Sequence, residues 1–182
     1  MSKTPAPSIY ETTFAESNKT DAILVVDGMK LHVNKALLSC HSTHFKALFN
    51  SGKKSTPEIE IKDVEFEDFA ILLSLVHLTP LKPKNAQNAE KLLELTDQFQ
   101  LPAAKRPIEV YLMAAKLKIS EKIRIGEKFE LDALLRAGLY AHYQKGSLRN
   151  FRKGDQFKNF SAESRCKSLH LIFEILYEQN NR

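Results

Sequence analysis

The residues that could do chemistry are concentrated at Cys40-His41-Ser42-Thr43-His44, inside the stretch HVNKALLSCHSTHFKALF. Cys40 and His44 stand four apart, a spacing that puts two side chains on one face of a regular helix. Cys166 and His170 repeat that spacing near the C-terminus. Together the four could form a tetrahedral Cys2His2 zinc site. The spacing matches none of the usual zinc patterns, which use shorter Cys-Cys separations. Both cysteines also fall where apolar stripes are expected, and there a free cysteine behaves as a small hydrophobe. A Cys-His catalytic pair lacks any orienting third group. His32, His77 and His142 are singletons. The acidic cluster Glu65, Glu67 and Asp68 sits at an expected helix N-terminus, where carboxylates complement the helix dipole without any catalytic role. The six glycines are too dispersed for a dinucleotide-binding or P-loop motif, and there is no Gly-x-Ser-x-Gly or His-Glu-x-x-His. The expectation is a non-enzymatic chain with no cofactor and no metal.

A second group of chemically capable residues lies at 145–160. Lys145, Arg149, Arg152, Lys153 and Lys158 alternate with Phe151, Phe157 and Phe160. Basic residues interleaved with aromatics can bind single strands by phosphate contact and stacking. In the competing reading the phenylalanines pin the loop to neighbouring helices and the charges are solvated. The second reading is preferred, because no recognised nucleic-acid motif accompanies the loop. The charge is nonetheless lopsided. Residues 1–112 carry 13 Lys+Arg against 14 Asp+Glu, and residues 113–182 carry 14 against 8. The basic excess in the C-terminal part would suit an acidic partner.

These residues must be positioned by elements the sequence also signals. Ala22-Ile-Leu-Val-Val26 reads as a strand and Asp27-Gly28 as a two-residue hairpin turn. Met29 to Val33 then alternates, with Met29, Leu31 and Val33 on one face. Asn34 can cap a helix through Leu37 and Leu38, and Ser42 a second one carrying Phe45, Leu48 and Phe49. Asn50 to Pro57 is rich in turn formers, Glu58 to Lys62 reads as a strand, and Glu65 to Leu78 as a helix burying Phe69, Leu72, Leu73 and Val76. Pro80 and Pro83 close that helix. Residues 93–103 and 123–133 form a weak repeat at an offset of 30, each copy a helix, a turn after Phe-x-Leu, and a second helix (Ala103–Ala115 and Asp132–Tyr143). A last helix from Ala162 is expected to bury Cys166, Leu169, Ile172, Phe173 and Leu176. The first eight residues, polar with two prolines, read as a disordered tail. No apolar run approaches the roughly 18 residues of a membrane span. With two cysteines and no secretory h-region, the expected compartment is reducing, cytoplasmic or nuclear, and no membrane partner is expected.

The order Asn18-Lys-Thr-Asp21-Ala22, hairpin, Asn34-Lys35-x-Leu37-Leu38-x-x-x-Ser42-x-x-Phe45-x-x-Leu48-Phe49, Glu58-Ile-x-Ile-x-Asp63-Val64, Phe69-x-x-Leu72-Leu73 and Leu92-Leu-Glu-Leu-Thr-Asp97-Gln-Phe99-x-Leu101 resembles the BTB/POZ domain. The resemblance covers about residues 14–112. It implies an α+β fold: a small, mostly antiparallel sheet flanked by helices over residues 9–115, with an all-α helical extension over 116–182 similar to a truncated BACK-type region. It implies that Ser42 caps the junction of two short helices, that Leu38, Phe45 and Phe49 are core, and that His44 occupies an apolar or aromatic position. Members are protein–protein interaction modules, often homodimers, so the implied partner is a second copy or another BTB protein. Phe14, Asp21, Lys35 and Leu38 are the implied dimer-interface positions. Many members are also substrate adaptors that bridge a target to a cullin of a ubiquitin ligase. The implied cullin-facing positions are Phe49, Lys53, Lys54 and His77. There the chain departs from the family: the loop Asn50–Pro57 is basic and lacks the usual hydrophobic-x-Glu segment, and Val76-His77 stands where an Ile-Tyr-like pair is common. An alternative implied by the family is a transcriptional regulator whose basic C-terminal region meets nucleic acid or an acidic partner.

Overall fold

The chain reverses at Asp27 and Gly28, both left-handed (φ 49° and 76°), as a type I′ turn requires. The turn joins β1 (Ala22–Val26) to β2 (Met29–Val33) in an antiparallel ladder running from Val26 opposite Met29 to Ala22 opposite Val33. A third strand, β3 (Glu58–Glu60), pairs with the other edge of β1 in parallel, giving the order β2-β1-β3. Ala22, Leu24, Val26, Leu31 and Val33 are buried. Met29, expected on that same face, is exposed because it sits at the turn.

The computed structural model describes residues 8–51 and 58–181, and its contacts divide the chain into two units, the first ending at Ile108 and the second starting at Glu109. In the first unit the sheet is joined by α1 (Ile9–Thr13), α2 (Lys35–His41), α3 (Thr43–Asn50), α4 (Phe66–Ser74) and α5 (Ala86–Gln98). Residues 1–7, most of the expected tail, lie outside the described residues. Ser8 does not belong to a tail: its hydroxyl accepts from the Glu11 N–H while Glu11 accepts from the Ser8 N–H, a capping box that opens α1. Phe45, Phe69 and Phe99 form the aromatic centre of this core, Phe45 and Phe99 stacked at 5.8 Å and Phe69 edge-on to Phe99 at 5.0 Å.

Helix α4 is shorter than the Glu65–Leu78 span its periodicity suggests. Past Ser74 the hydrogen bonds tighten to i+3, from Leu75, Val76 and His77 to Leu72, Leu73 and Ser74. The buried Ser74 hydroxyl donates to the Ile71 carbonyl and accepts from the Leu81 N–H, so it ties the exit loop back onto the helix. Val76 is therefore only half-buried. At the start of α4, buried Asp68 accepts from Asn88 Nδ2 at 2.7 Å and pairs with Lys91 at 2.8 Å, while Glu65 takes a second contact from Lys91 at 3.0 Å. The acidic cluster thus joins α4 to α5, and these bonds raise the Lys91 pKa, the Asp68 bond most.

The helical repeat has a backbone cause. At the end of α5, Phe99 and Leu101 N–H bond to Leu95 and Thr96 carbonyls around a left-handed Gln100 (φ 47°). At the end of α7 (Ile119–Lys128), Phe129 and Leu131 bond to Ile125 and Gly126 around a left-handed Glu130 (φ 58°). Both are Schellman-type ends with their carbonyls satisfied, thirty residues apart. A 3-10 turn (Pro102–Ala104) follows the first and leads to α6 (Lys105–Ala114).

In the second unit α7 packs antiparallel against α8 (Asp132–Gln144) at very short range. A Cβ on Gly126 would lie 2.6 Å from the Leu135 backbone nitrogen, and one on Gly138 would lie 2.5 Å from Ile123 Cγ1. The α8 N-terminus has no local side-chain cap. Buried Glu109 supplies one instead, its Oε1 accepting from Ala133 and Leu134 N–H at 2.8 and 3.1 Å. The stretch expected as a basic loop folds into α9 (Leu148–Lys153) and α10 (Asp155–Lys158). Phe151, Phe157 and Phe160 are buried there with Ile123, Leu135, Leu139, Ile172 and Ile175.

The last helix, α11 (Ala162–Asn180), corrects an expectation. It buries Ser168, Ile172 and Ile175, not Cys166, Leu169, Phe173 and Leu176, which are exposed. Of the five residues expected inside, only Ile172 is. Apolar residues recur on two faces of this helix, and periodicity does not say which one α8 meets.

Candidate interaction surface

The reactive-looking stretch resolves into a helix junction. Ser42 is extended (φ −141°, ψ 123°) between α2 and α3 and is buried. Its hydroxyl accepts from the Phe45 N–H at 3.0 Å and donates to the Phe99 carbonyl at 2.7 Å. One side chain therefore caps α3 and fixes it to the end of α5. His44 is half-buried and serves as an aromatic: its ring is edge-on to Phe45 at 5.5 Å and to Phe99 at 5.2 Å. Cys40 is exposed, contrary to the apolar stripe expected for it. Leu38 sets the inward face of α2, and two residues further on a helix side chain points roughly 200° away. Cys166 is exposed on α11 for a similar reason, two residues before the inward-facing Ser168. Among the described residues no group of three or more His, Cys, Asp or Glu is arranged to hold a metal ion, and no helix is long and apolar enough to cross a membrane.

The four positions that the resemblance implies for a dimer interface fall into two kinds. Phe14 and Leu38 are core, 2% and 0% exposed. Asp21 and Lys35 are exposed, and their link runs through the backbone: Asp21 Oδ1 accepts from the Lys35 N–H at 2.7 Å. Asn34 completes this α2 cap, accepting from the Leu37 N–H and donating to the Lys19 carbonyl. The carboxylate of Asp21 is thus a solvent-facing helix cap within one chain. Sequence reasoning did not single out Ile9, which is 61% exposed on α1. The Ser8-Ile-Tyr-Glu11 pattern, a capping box, was the signal for the helix that carries it.

On the second expected surface, Phe49 is half-buried and stacked on Phe45 at 6.0 Å. Lys53 and Lys54 lie outside the described residues. His77 is half-buried with its ring 5.4 Å from Phe14, and burial holds its pKa below the ordinary histidine value. Leu78, next to it, is fully exposed.

In the basic segment the charges and rings separate. The three phenylalanines are inside, whereas Lys145, Arg149, Arg152 and Lys153 are exposed. His142 stacks on Phe151 at 5.2 Å and holds Ser147 Oγ at 2.8 Å through Nδ1. Burial, then the charge of Lys145, lowers its pKa. The aromatic half of a stacking platform is therefore unavailable to a nucleobase, and what the segment offers is positive charge.

A family model described as "BTB/POZ domain" matches residues 10–116. A BTB/POZ domain-containing protein of Caenorhabditis elegans is 40% identical over 126 residues, covering 67% of this chain and 40% of the relative. BTB and MATH domain-containing protein 36 of the same organism is 32% identical over 123 residues, 66% of this chain and 38% of that protein. The chain thus spans less than half the length of these curated relatives. Among solved structures, the BTB domain of human Gigaxonin is 19% identical with a TM-score of 0.42, covering 61% of this chain and 99% of that one.

Proposed function

The chain belongs to the BTB/POZ domain family, a family of protein-interaction modules, and on that premise we propose that it is a homodimerising adaptor or scaffold. The observation that carries this reading is the match over residues 10–116, reinforced by exposed side chains on α1 and at the start of α2. Ile9 stands out from α1, and Lys35 and Asp21 flank the start of α2 in solvent. An exposed apolar side chain and solvent-facing charges of both signs are ingredients of a selective protein interface. The pairing partner is a second copy or another member of the family.

The adaptor reading extends to a cullin scaffold of a ubiquitin ligase through Phe49 and His77, in the cytoplasm or nucleus. The departures at 50–57 and at Val76-His77 act against it, since changes at an interface centre can cost about 2 kcal/mol or more each. Interferometry of the purified chain against a cullin N-terminal domain tests it. Saturable binding at micromolar concentration supports adaptor function. A flat response from a folded protein removes the cullin and leaves scaffolding.

A second reading has its own observation. The exposed cations Lys145, Arg149, Arg152 and Lys153 favour an acidic partner, held by charge alone because the rings are buried. Its signature is affinity that falls steeply with salt.

A further inference from the structure

The second unit holds an open cleft of about 660 Å³ between the start of α7, the end of α8 and the short helices α9 and α10. Leu117 and Ile119, both half-buried, line it, and His142 and Phe151 stack on each other beside them. Its walls are fixed before anything enters. Gln156 Nε2 donates to the Ser120 carbonyl at 2.9 Å and ties α10 to α7. His142 Nδ1 meets Ser147 Oγ at 2.8 Å and ties α8 to the start of α9. A preformed concavity of this size, with apolar side chains and a few convergent polar groups, has the make-up of a binding site.

The charges at the cleft identify what enters it. Lys118, just before α7, and Lys145, just after α8, both line it and are exposed. Burial, and after it the charge of Lys145, lowers the His142 pKa, which sets that ammonium close to the cleft ring. Among the described residues neither lysine forms an ion pair, and neither do Arg149, Arg152 and Lys153 on the adjoining α9. Asp155, the only acid among the described lining residues, is engaged by Lys158 at 3.4 Å. The cleft therefore presents positive charge that nothing within the chain neutralises. Cations spread over several elements fit a chain of carboxylates better than one small anion, which a single lysine satisfies. A nucleic acid would need open rings to stack on, and the rings here are stacked on each other. We infer that the cleft binds an acidic peptide segment of a partner protein, with carboxylates on Lys118 and Lys145 and one apolar side chain on Leu117 and Ile119. This rests on the acidic-partner reading and goes further. Where that reading has charge alone on and around α9, the cleft adds Lys118 and an apolar contact.

Fluorescence anisotropy of the full chain at low salt tests this with a short labelled peptide of aspartate and glutamate around one central leucine. Lys118→Glu and Lys145→Glu should each raise the dissociation constant about tenfold. Both lysines are exposed, and circular dichroism verifies that the variants fold. Replacing the leucine of the peptide by serine, with the protein untouched, should raise the constant about fivefold. Loss on Arg152→Glu without loss on Lys118→Glu would leave the acidic-partner reading standing and overturn the cleft. A serine peptide that binds as well as the leucine peptide would do the same, since charge alone would then account for binding. No binding of either peptide would remove both the cleft and the acidic-partner reading. An oligo-deoxythymidine that binds more tightly than the peptide, and that also depends on Lys118, would make the occupant a nucleic acid and overturn the peptide.

Discussion

Ser42 makes two hydrogen bonds from a buried position, one to the start of its own helix and one to a carbonyl 57 residues away. Ser42→Ala removes a cap and leaves the Phe99 carbonyl without that donor, an expected loss of about 2–3 kcal/mol in urea-unfolding stability. Cys40→Ser, at an exposed site in the preceding helix, should change stability by less than about 0.5 kcal/mol in the same measurement. His77 carries a pH dependence. Burial lowers its pKa in the folded chain, so the unfolded chain binds the proton more readily. Its contribution is then complete above the unfolded value, near 6.5, and is lost as pH falls through the depressed folded value. Urea midpoints should decline on acidification below pH 6.5, and His77→Phe should shallow that decline. His142 shifts in the same direction and accounts for part of the slope that persists. An unchanged slope in His77→Phe would count against this assignment.

At the scale of elements, the α7–α8 hairpin depends on two glycines for closeness and on one distant carboxylate for its cap. A methyl group at Gly126 meets backbone, which cannot swing away as a side-chain tip can. Gly126→Ala should therefore destabilise the second unit by about 2 kcal/mol or more despite alanine's better helix propensity, and hydrogen exchange in α7 and α8 would report it. Protection in those helices equal to that of the parent chain would show that α7 can move aside. Ser42 and Gly126 illustrate different restraints: the first needs a particular hydrogen-bonding group, the second needs nothing at all in the space.

For the whole molecule, the proposed first-unit pairing places an apolar anchor, Ile9, at the contact. Ile9→Asp should raise the dimer dissociation constant about tenfold or more in equilibrium sedimentation while leaving the thermal unfolding of a dilute sample unchanged. A midpoint that ignores the change would move the contact away from α1. The basic excess of residues 113–182 is a property of the surface as a whole, since the rings beside it are internal. Partners drawn to it should be acidic and salt-sensitive.

The sequence by itself determined the parts governed by a few neighbouring residues. The Asp27-Gly28 turn follows from two residues that tolerate positive φ, and the Ser42 junction from a hydroxyl within reach of the Phe45 N–H. The ordered motifs from Asn18 to Leu101 were enough to point to the family, and the α+β core with its helical extension follows from them. Tertiary structure decided what depends on which other element arrives. β3 joined β1 in parallel, a pairing that the pattern of Glu58 to Glu60 does not encode. Asp21 stayed in solvent, Glu109 reached across to cap α8, and α11 turned Ile172 and Ile175 inward while leaving Phe173 outside. Local hydrogen bonds and dihedral limits act within about four residues, so they can be read along the chain. Burial is set by contacts between elements far apart in sequence, and for a helix apolar on two sides only those contacts choose the face.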